Sequence, residues 1–210
     1  SNGIQLKDSG AVAIVVMEMF AATLEQAIVG TDIRHVVVTA MGDMMGPVKG
    51  TAITALLRHV EKLVPKWCVP QAERWPAVMR RARRLSLKPV KTKAEDLAFL
   101  QYTGGTSGVA KGAMLTHRNI IANVLQGRAW IMAQIPEDQV VGNVTMLPLY
   151  HIFALTVNSL MGVALGGHNL LIANPRDIPG FVKEISRYRF NILPGLNTLF
   201  NALANNEDFK

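Results

Sequence analysis

The chain has 210 residues, half of them hydrophobic, with 22 basic against 15 acidic side chains and a formal net charge of +7. This is a globular composition, which excludes an intrinsically disordered chain, and the length is ample to bury a core. The longest apolar runs, Ala11–Val16, Ile152–Val157 and Leu160–Leu165, fall short of the roughly 20 residues that a bilayer-spanning helix needs.

Short apolar runs alternate with amphipathic stretches along the chain. Val12–Val16 reads as a buried strand, Phe20–Ile28 as a helix and His35–Ala40 as a second β-branched strand. Ala52–Leu63 has helical spacing, with Ile53, Leu56, Leu57, Val60, Leu63 and Val64 on one face. Trp75–Leu85 reads as a short basic helix, residues 86–94 as a linker and Asp96–Tyr102 as a strand. Beyond a glycine-rich loop, Thr116 is a natural N-cap for a helix reaching about Met132. Asn143–Leu147, Asn169–Ala173 and Asn191–Leu193 read as strands. Ile152–Leu165, Ile178–Tyr188 and Leu196–Asn205 read as helices, with Pro179 tolerated in a first turn. The alternation predicts an α/β fold with a largely parallel sheet covered by helices.

The single cysteine, Cys68, forbids an internal disulfide and supplies no metal cluster, in keeping with a cytoplasmic protein. Ser1-Asn2-Gly3 reads as the remnant of an expression tag, so 210 residues is expected to be less than the gene encodes. The charge is concentrated. Arg74, Arg80, Arg81, Arg83, Arg84, Lys88, Lys91 and Lys93 fall in one stretch without an acid, and the remainder of the chain is close to neutral. A solvated helix face and an anionic partner surface both fit such a stretch. With Trp75 its one stacking aromatic and no nucleic-acid-binding signature beside it, nucleic acid is not the expected partner.

One segment carries chemistry: Tyr102-Thr103-Gly104-Gly105-Thr106-Ser107-Gly108-Val109-Ala110-Lys111-Gly112-Ala113. Glycines let consecutive backbone N–H groups turn toward an anion, the hydroxyls add donors and Lys111 adds charge. Hydrogen bonds to charged groups contribute roughly 1.5–3 kcal/mol each, enough in combination to hold a triphosphate. The spacing is neither that of a Walker A loop, because Ala110 and Gly112 flank Lys111, nor that of a dinucleotide fingerprint, because position 103 is Thr.

This segment, continued through Met114-Leu115-Thr116-His117-Arg118-Asn119, resembles the AMP-binding signature of the adenylate-forming superfamily, in particular bacterial long-chain fatty acid–CoA ligases. The resemblance extends through Leu147-Pro148-Leu149-Tyr150-His151-Ile152-Phe153, Asn174-Pro175-Arg176-Asp177-Ile178-Pro179-Gly180 and Asn197-Thr198-Leu199-Phe200-Asn201-Ala202-Leu203. Upstream, Asp8-Ser9-Gly10-Ala11 and Leu63-Val64-Pro65-Lys66 fit as well. Ser107 stands where many relatives have Thr and keeps the hydroxyl.

The resemblance implies that residues 4–210 are an internal fragment of a large N-terminal AMP-binding domain, without the C-terminal domain, and inactive alone. It implies a two-step reaction, in which ATP and a long-chain fatty acid give acyl-adenylate and pyrophosphate before CoA takes the acyl group. Mg²⁺ would neutralise the triphosphate. Tyr102–Ala113 would hold the β- and γ-phosphates, and without an anion Gly104–Gly108 is expected to be mobile. Tyr150 and His151 would lie beside the carboxylate and adenylate, with His151 a candidate catalytic residue. Gly195, Leu196 and Thr198 would line the acyl tunnel. The implied location is cytoplasmic, with peripheral contact at the inner membrane face and homo-oligomerisation left open. The alternative is a stand-alone, non-catalytic nucleotide- or acyl-binding module.

Overall fold

The computed structural model describes residues 2–103, 111–136 and 139–209. The chain divides into two compact units, residues 1–91 with 102–113, and residues 92–101 with 114–210.

In the first unit, α1 (Asn2–Asp8) precedes β1 (Ala13–Met17), α2 (Ala21–Ala27) and β2 (His35–Thr39). Next come α3 (Pro47–Ala55), β3 (Ala72–Arg74) and α4 (Trp75–Ala82). The strands pair in the order β1-β2-β3, all parallel, with Val36 opposite Ile14 on one side and Ala72 on the other. Alternate side chains of β2 point to opposite faces, so Val36 and Val38 are sealed in a core with Leu24, Ile33 and Val69. Parallel strands need crossover helices, which is the role of α2 and α3.

Gly46 opens α3 with a positive φ of 78°, and Pro47 takes the first turn, where its missing N–H costs nothing. The helix then widens into a π-helical stretch over Leu56–Val60. Leu56, Val60 and Leu63 of its apolar face are exposed. The wider turn departs from the 3.6-residue period that would hold these residues in one line. Near the helix start, two backbones touch. A Cβ on Gly42 would lie 2.1 Å from the Gly50 carbonyl oxygen, and one on Gly50 would lie 2.2 Å from that of Gly42.

Glu18 follows β1 directly and is almost completely buried. Arg58 donates from Nη2 to its Oε2 at 2.6 Å and from Nε to both oxygens at 3.1 Å. Arg74, the last residue of β3, donates from Nη1 to Oε2 at 2.9 Å and lies 4.9 Å above the Trp67 ring. One carboxylate therefore ties the ends of two strands to the π-helical turn.

β4 (Leu97–Thr103) pairs with β5 (Lys111–Thr116) in a two-stranded sheet, in which Leu97–Gln101 and Met114–Thr116 belong to the second unit and the remaining residues to the first. The second unit continues through α5 (His117–Met132), β6 (Gly142–Thr145), a π-helical stretch at Ala154–Leu160 and α6 (Met161–Ala164). β7 (His168–Leu171), α7 (Ile178–Ile185) and α8 (Asn197–Ala204) complete it. Thr116 caps α5 as expected, in a reciprocal box with Asn119. Asp177 caps α7, with Pro179 in the first turn. β6 and β7 are parallel, and the strand expected at Asn191–Leu193 is reduced to a bridge between Asn143 and Ile192.

Val144, Met146, Phe181, Val182, Ile185 and Leu203 form the core of this unit. Beside it, Asn143 and Asn158 are buried as a pair. Asn158 Nδ2 donates to Asn143 Oδ1 at 3.2 Å and to the Val144 carbonyl at 3.1 Å. Asn143 Nδ2 in turn donates to the Asn158 carbonyl at 3.3 Å, so the strand holds the π-helical stretch through side-chain amides.

The Glu18 cluster makes an asymmetric prediction, because its carboxylate is sealed from water while both arginines are half exposed. Glu18→Leu lets Arg58 and Arg74 regain water and should cost less than about 1 kcal/mol, whereas Arg58→Met leaves a buried charge short of a partner and should cost about 2–3 kcal/mol. Urea unfolding of the two variants measures the difference.

Candidate functional site

The residues singled out in the sequence fall into three groups. Tyr102 and Thr103 end β4, and Lys111, Gly112 and Ala113 begin β5, so the two strands present both ends of the glycine-rich segment. Gly104, Gly105, Thr106, Ser107, Gly108, Val109 and Ala110 lie outside the described residues, as does the expectation that Gly104–Gly108 is mobile. Thr103 and Lys111 are exposed at the base of the segment.

The phenol of Tyr102 donates to Asp8 Oδ2 at 2.6 Å, across 94 residues of sequence. Gly112 makes room for its ring, since a Cβ there would lie 3.1 Å from Tyr102 Cζ. Asp8 ends α1, so this helix braces the strand that leads into the segment. The hydrogen bond to a carboxylate, together with desolvation and the charge of Asp8, raises the Tyr102 pKa above its ordinary value.

Tyr150 and His151 form the second group. Tyr150 is 84% exposed, and His151 is exposed as well. The His151 N–H donates to the Pro148 carbonyl at 2.9 Å, and its own carbonyl accepts from Leu155 at 2.9 Å, which places it at the head of the following helix. Neither side chain has a hydrogen-bond partner among the described residues.

The third group does converge. Leu196 and Thr198, at the start of α8, line a groove of about 450 Å³ together with Met146, Leu147, Ile178, Leu199 and Ala202. Pro175 and Arg176 complete it, the latter as its one charged side chain. Gly195 is not among the lining residues, although a Cβ there would approach the Phe200 ring at 3.0 Å. The parallel pairing of β6 directs Met146 and Leu147 out of the carboxyl end of that strand, where open α/β sheets form their ligand crevices. Arg176 and Asp8 had no individual signal in the sequence. Each gains its place through a partner far along the chain or through the turn before α7.

A second cavity, of about 670 Å³, is lined by Gly42, Thr51, Arg58 and Arg74 among others. None of the candidate site residues lies in it, and Glu18 already occupies its two arginines. Among the described residues there is no group of three or more His, Cys, Asp or Glu side chains placed to hold a metal ion, and no helix is long and apolar enough to cross a membrane.

Residues 3–210 match the family of AMP-binding enzymes, and the chain belongs to that family. It is 53% identical over 207 residues to a long-chain-fatty-acid–CoA ligase of Yersinia pestis and 51% identical over 207 residues to that of Salmonella typhimurium. Each alignment covers 98% of this chain and 36% of the relative, so the chain spans about a third of the length of the relatives it matches. Among solved structures, an anthranilate CoA ligase in complex with anthranoyl-AMP superposes with a TM-score of 0.71 at 18% identity, over 99% of this chain and 35% of that one. That likeness shows that this chain folds as the matching part of that ligase does.

The Tyr102–Asp8 contact gives a testable titration. The folded-state pKa is raised, so the stabilisation is complete below the ordinary tyrosine value and is lost as pH rises through the folded value. Subtracting the tyrosinate absorbance curve of Tyr102→Phe from that of the parent isolates this phenol. It should titrate above its ordinary range and return to that range in Asp8→Ala.

Proposed function

We propose that this chain supplies part of the N-terminal AMP-binding domain of an ATP-dependent long-chain fatty acid–CoA ligase. The observation that carries the reading is the apolar groove at the carboxyl end of β6, where Leu196 and Thr198 meet Met146 and Leu147. A groove of about 450 Å³ with a largely hydrocarbon lining suits an acyl chain. The relatives at 51% and 53% identity carry the same activity in their names.

In this reading the fatty acid carboxylate attacks the α-phosphorus of ATP and pyrophosphate leaves, giving an acyl-adenylate. The CoA sulfur then attacks the acyl carbon, and AMP leaves with the thioester formed. Tyr102–Ala113 cradle the β- and γ-phosphates, with Lys111 placing its charge where the leaving pyrophosphate gains negative charge. Mg²⁺ would arrive with ATP, whose phosphates Lys111 and the hydroxyl of Thr103 would help hold, and would supply charge neutralisation. Tyr150 and His151 stand at the head of a helix beside Leu147 in sequence and face the carboxylate and adenylate. Leu196 and Thr198 contact the acyl chain, and Gly195 keeps the backbone close to Phe200. Residues 86–94 act as a linker, the enzyme works in the cytoplasm on fatty acid taken from the inner membrane face, and self-association of the whole enzyme is compatible with this arrangement.

A chimera tests the assignment: the Yersinia pestis ligase with its matching 207-residue segment replaced by this chain. Palmitate-dependent pyrophosphate exchange should persist, and Lys111→Ala should lower it by about a hundredfold. A folded chimera that binds ATP without exchange would support the non-catalytic module instead.

The groove gives an independent prediction. Ala202→Phe should lower the preference for a long over a short acyl chain by about tenfold, since a few methylenes of lost contact are worth 1–3 kcal/mol. The ratio of kcat/KM values for palmitate and octanoate reads this out.

A further inference from the structure

β6, the loop that follows it and the π-helical stretch form one clamp. Thr145 ends the strand, residues 146–153 make the loop, and the stretch runs over Ala154–Leu160. The loop carries Met146 and Leu147, which line the apolar groove, and then Tyr150 and His151. Its two legs are tied together across 15 residues of sequence by Asn143 on the strand and Asn158 on the helix.

Asn143 Nδ2 donates to two carbonyls inside the stretch, those of Val157 at 3.4 Å and Asn158 at 3.3 Å. Asn158 Nδ2 returns to the strand, to Asn143 Oδ1 and the Val144 carbonyl. A π turn displaces the backbone ladder by one residue, so side-chain donors on these carbonyls fix where the widening falls. Thr156 adds to this at the head of the helix, where its hydroxyl donates to the Ile152 carbonyl at 2.8 Å.

Packing alone would not choose this arrangement. Both asparagines are almost fully buried, and Asn158 Oδ1 and Thr145 Oγ1 lack a partner among the described residues. An unsatisfied buried acceptor costs free energy that a leucine at the same place avoids. What the amides supply and leucine does not is a register. A buried polar pair allows one alignment of strand and helix, where apolar contact tolerates several.

We infer that Asn158, with Asn143, is a positioning residue: it holds the register of the π-helical stretch and thereby fixes Tyr150 and His151 at its head. Relaxation to a regular α-helix would change the register by one residue and turn the head by about 100° against the strand. His151 turns with it, because its N–H donates to the Pro148 carbonyl and its own carbonyl accepts from Leu155. The inference rests on the proposed placement of Tyr150 and His151 beside the carboxylate and adenylate.

The Yersinia pestis chimera carries the test. Asn158→Leu should lower kcat for palmitate-dependent pyrophosphate exchange by about a hundredfold, the scale of an ångström-sized misplacement, and leave KM for ATP unchanged. The loss should vanish when Tyr150→Ala and His151→Ala are already present, which marks a residue acting through them. Asn143→Val places a β-branched residue on the strand and should reproduce both results, which keeps the question answerable if Asn158→Leu does not fold. Hydrogen exchange of the 210-residue chain reads the register without any activity. In Asn143→Val the amides of residues 152–160 should lose protection while those of α7 keep it.

Unchanged kcat in a folded variant, an equal loss in the Tyr150→Ala and His151→Ala background, a loss expressed as a higher KM for ATP, or unaltered protection of residues 152–160 would each overturn the inference. A chimera in which Tyr150→Ala with His151→Ala costs nothing would remove the role proposed for those two residues, and this inference with it. A rate that needs them but ignores both asparagines would sink the inference alone.

Discussion

Parallel strand pairing is the constraint from which most of this molecule follows. A parallel neighbour cannot be reached through a tight turn, so each step from strand to strand must pass through a crossover, usually a helix. β1, β2 and β3 obey this in the first unit, and β6 and β7 in the second. The carboxyl ends of paired strands consequently share one edge, where the intervening segments meet. In one unit that edge carries the Glu18 cluster; in the other it opens into the apolar groove floored by Met146 and Leu147. The same topological rule has been filled once with an ion-paired lock and once with a cleft.

Both units also use a π-helical stretch, and in both a polar side chain from elsewhere holds it. Arg58 lies within the first stretch and is gripped by Glu18. Asn158 lies within the second and exchanges hydrogen bonds with Asn143. A wider turn distorts the regular ladder of backbone bonds, and these contacts compensate with side-chain groups. The two anchors differ in kind: a buried carboxylate stabilises mainly while its partners remain, whereas a neutral amide pair carries no charge to strand.

The sequence made some of this legible for clear reasons. β1 and β2 stand out because Val12–Val16 and His35–Ala40 are dense in β-branched residues, and α5 because Thr116 is a strong cap. β3 was hidden, since Ala72-Glu73-Arg74 has no strand character and exists only by pairing with β2. β5 was hidden behind Lys111 and Gly112, which read as loop. The helical spacing of Ala52–Leu63 was legible, but the π-helical turn within it was not, because helical periodicity assumes a constant pitch. Counting charges located the basic stretch but overstated it, because Glu18 pairs with Arg74 across 56 residues. The family signature was the most legible feature of the site, yet the Asp8 partner of Tyr102 was not, since the linear sequence does not encode a contact across 94 residues.

The contact between Gly42 and Gly50 has a consequence for how this chain can vary. Each position excludes a side chain because of the other's carbonyl, so neither can change first and no paired change compensates. Nearby Met44 and Val48 are 79% and 81% exposed, with space around them. Sequence drift in this turn should therefore be sharply divided, with two positions frozen by backbone contact beside neighbours free to take almost any residue. The turn and the first residues of α3 thus carry constrained and permissive sites side by side.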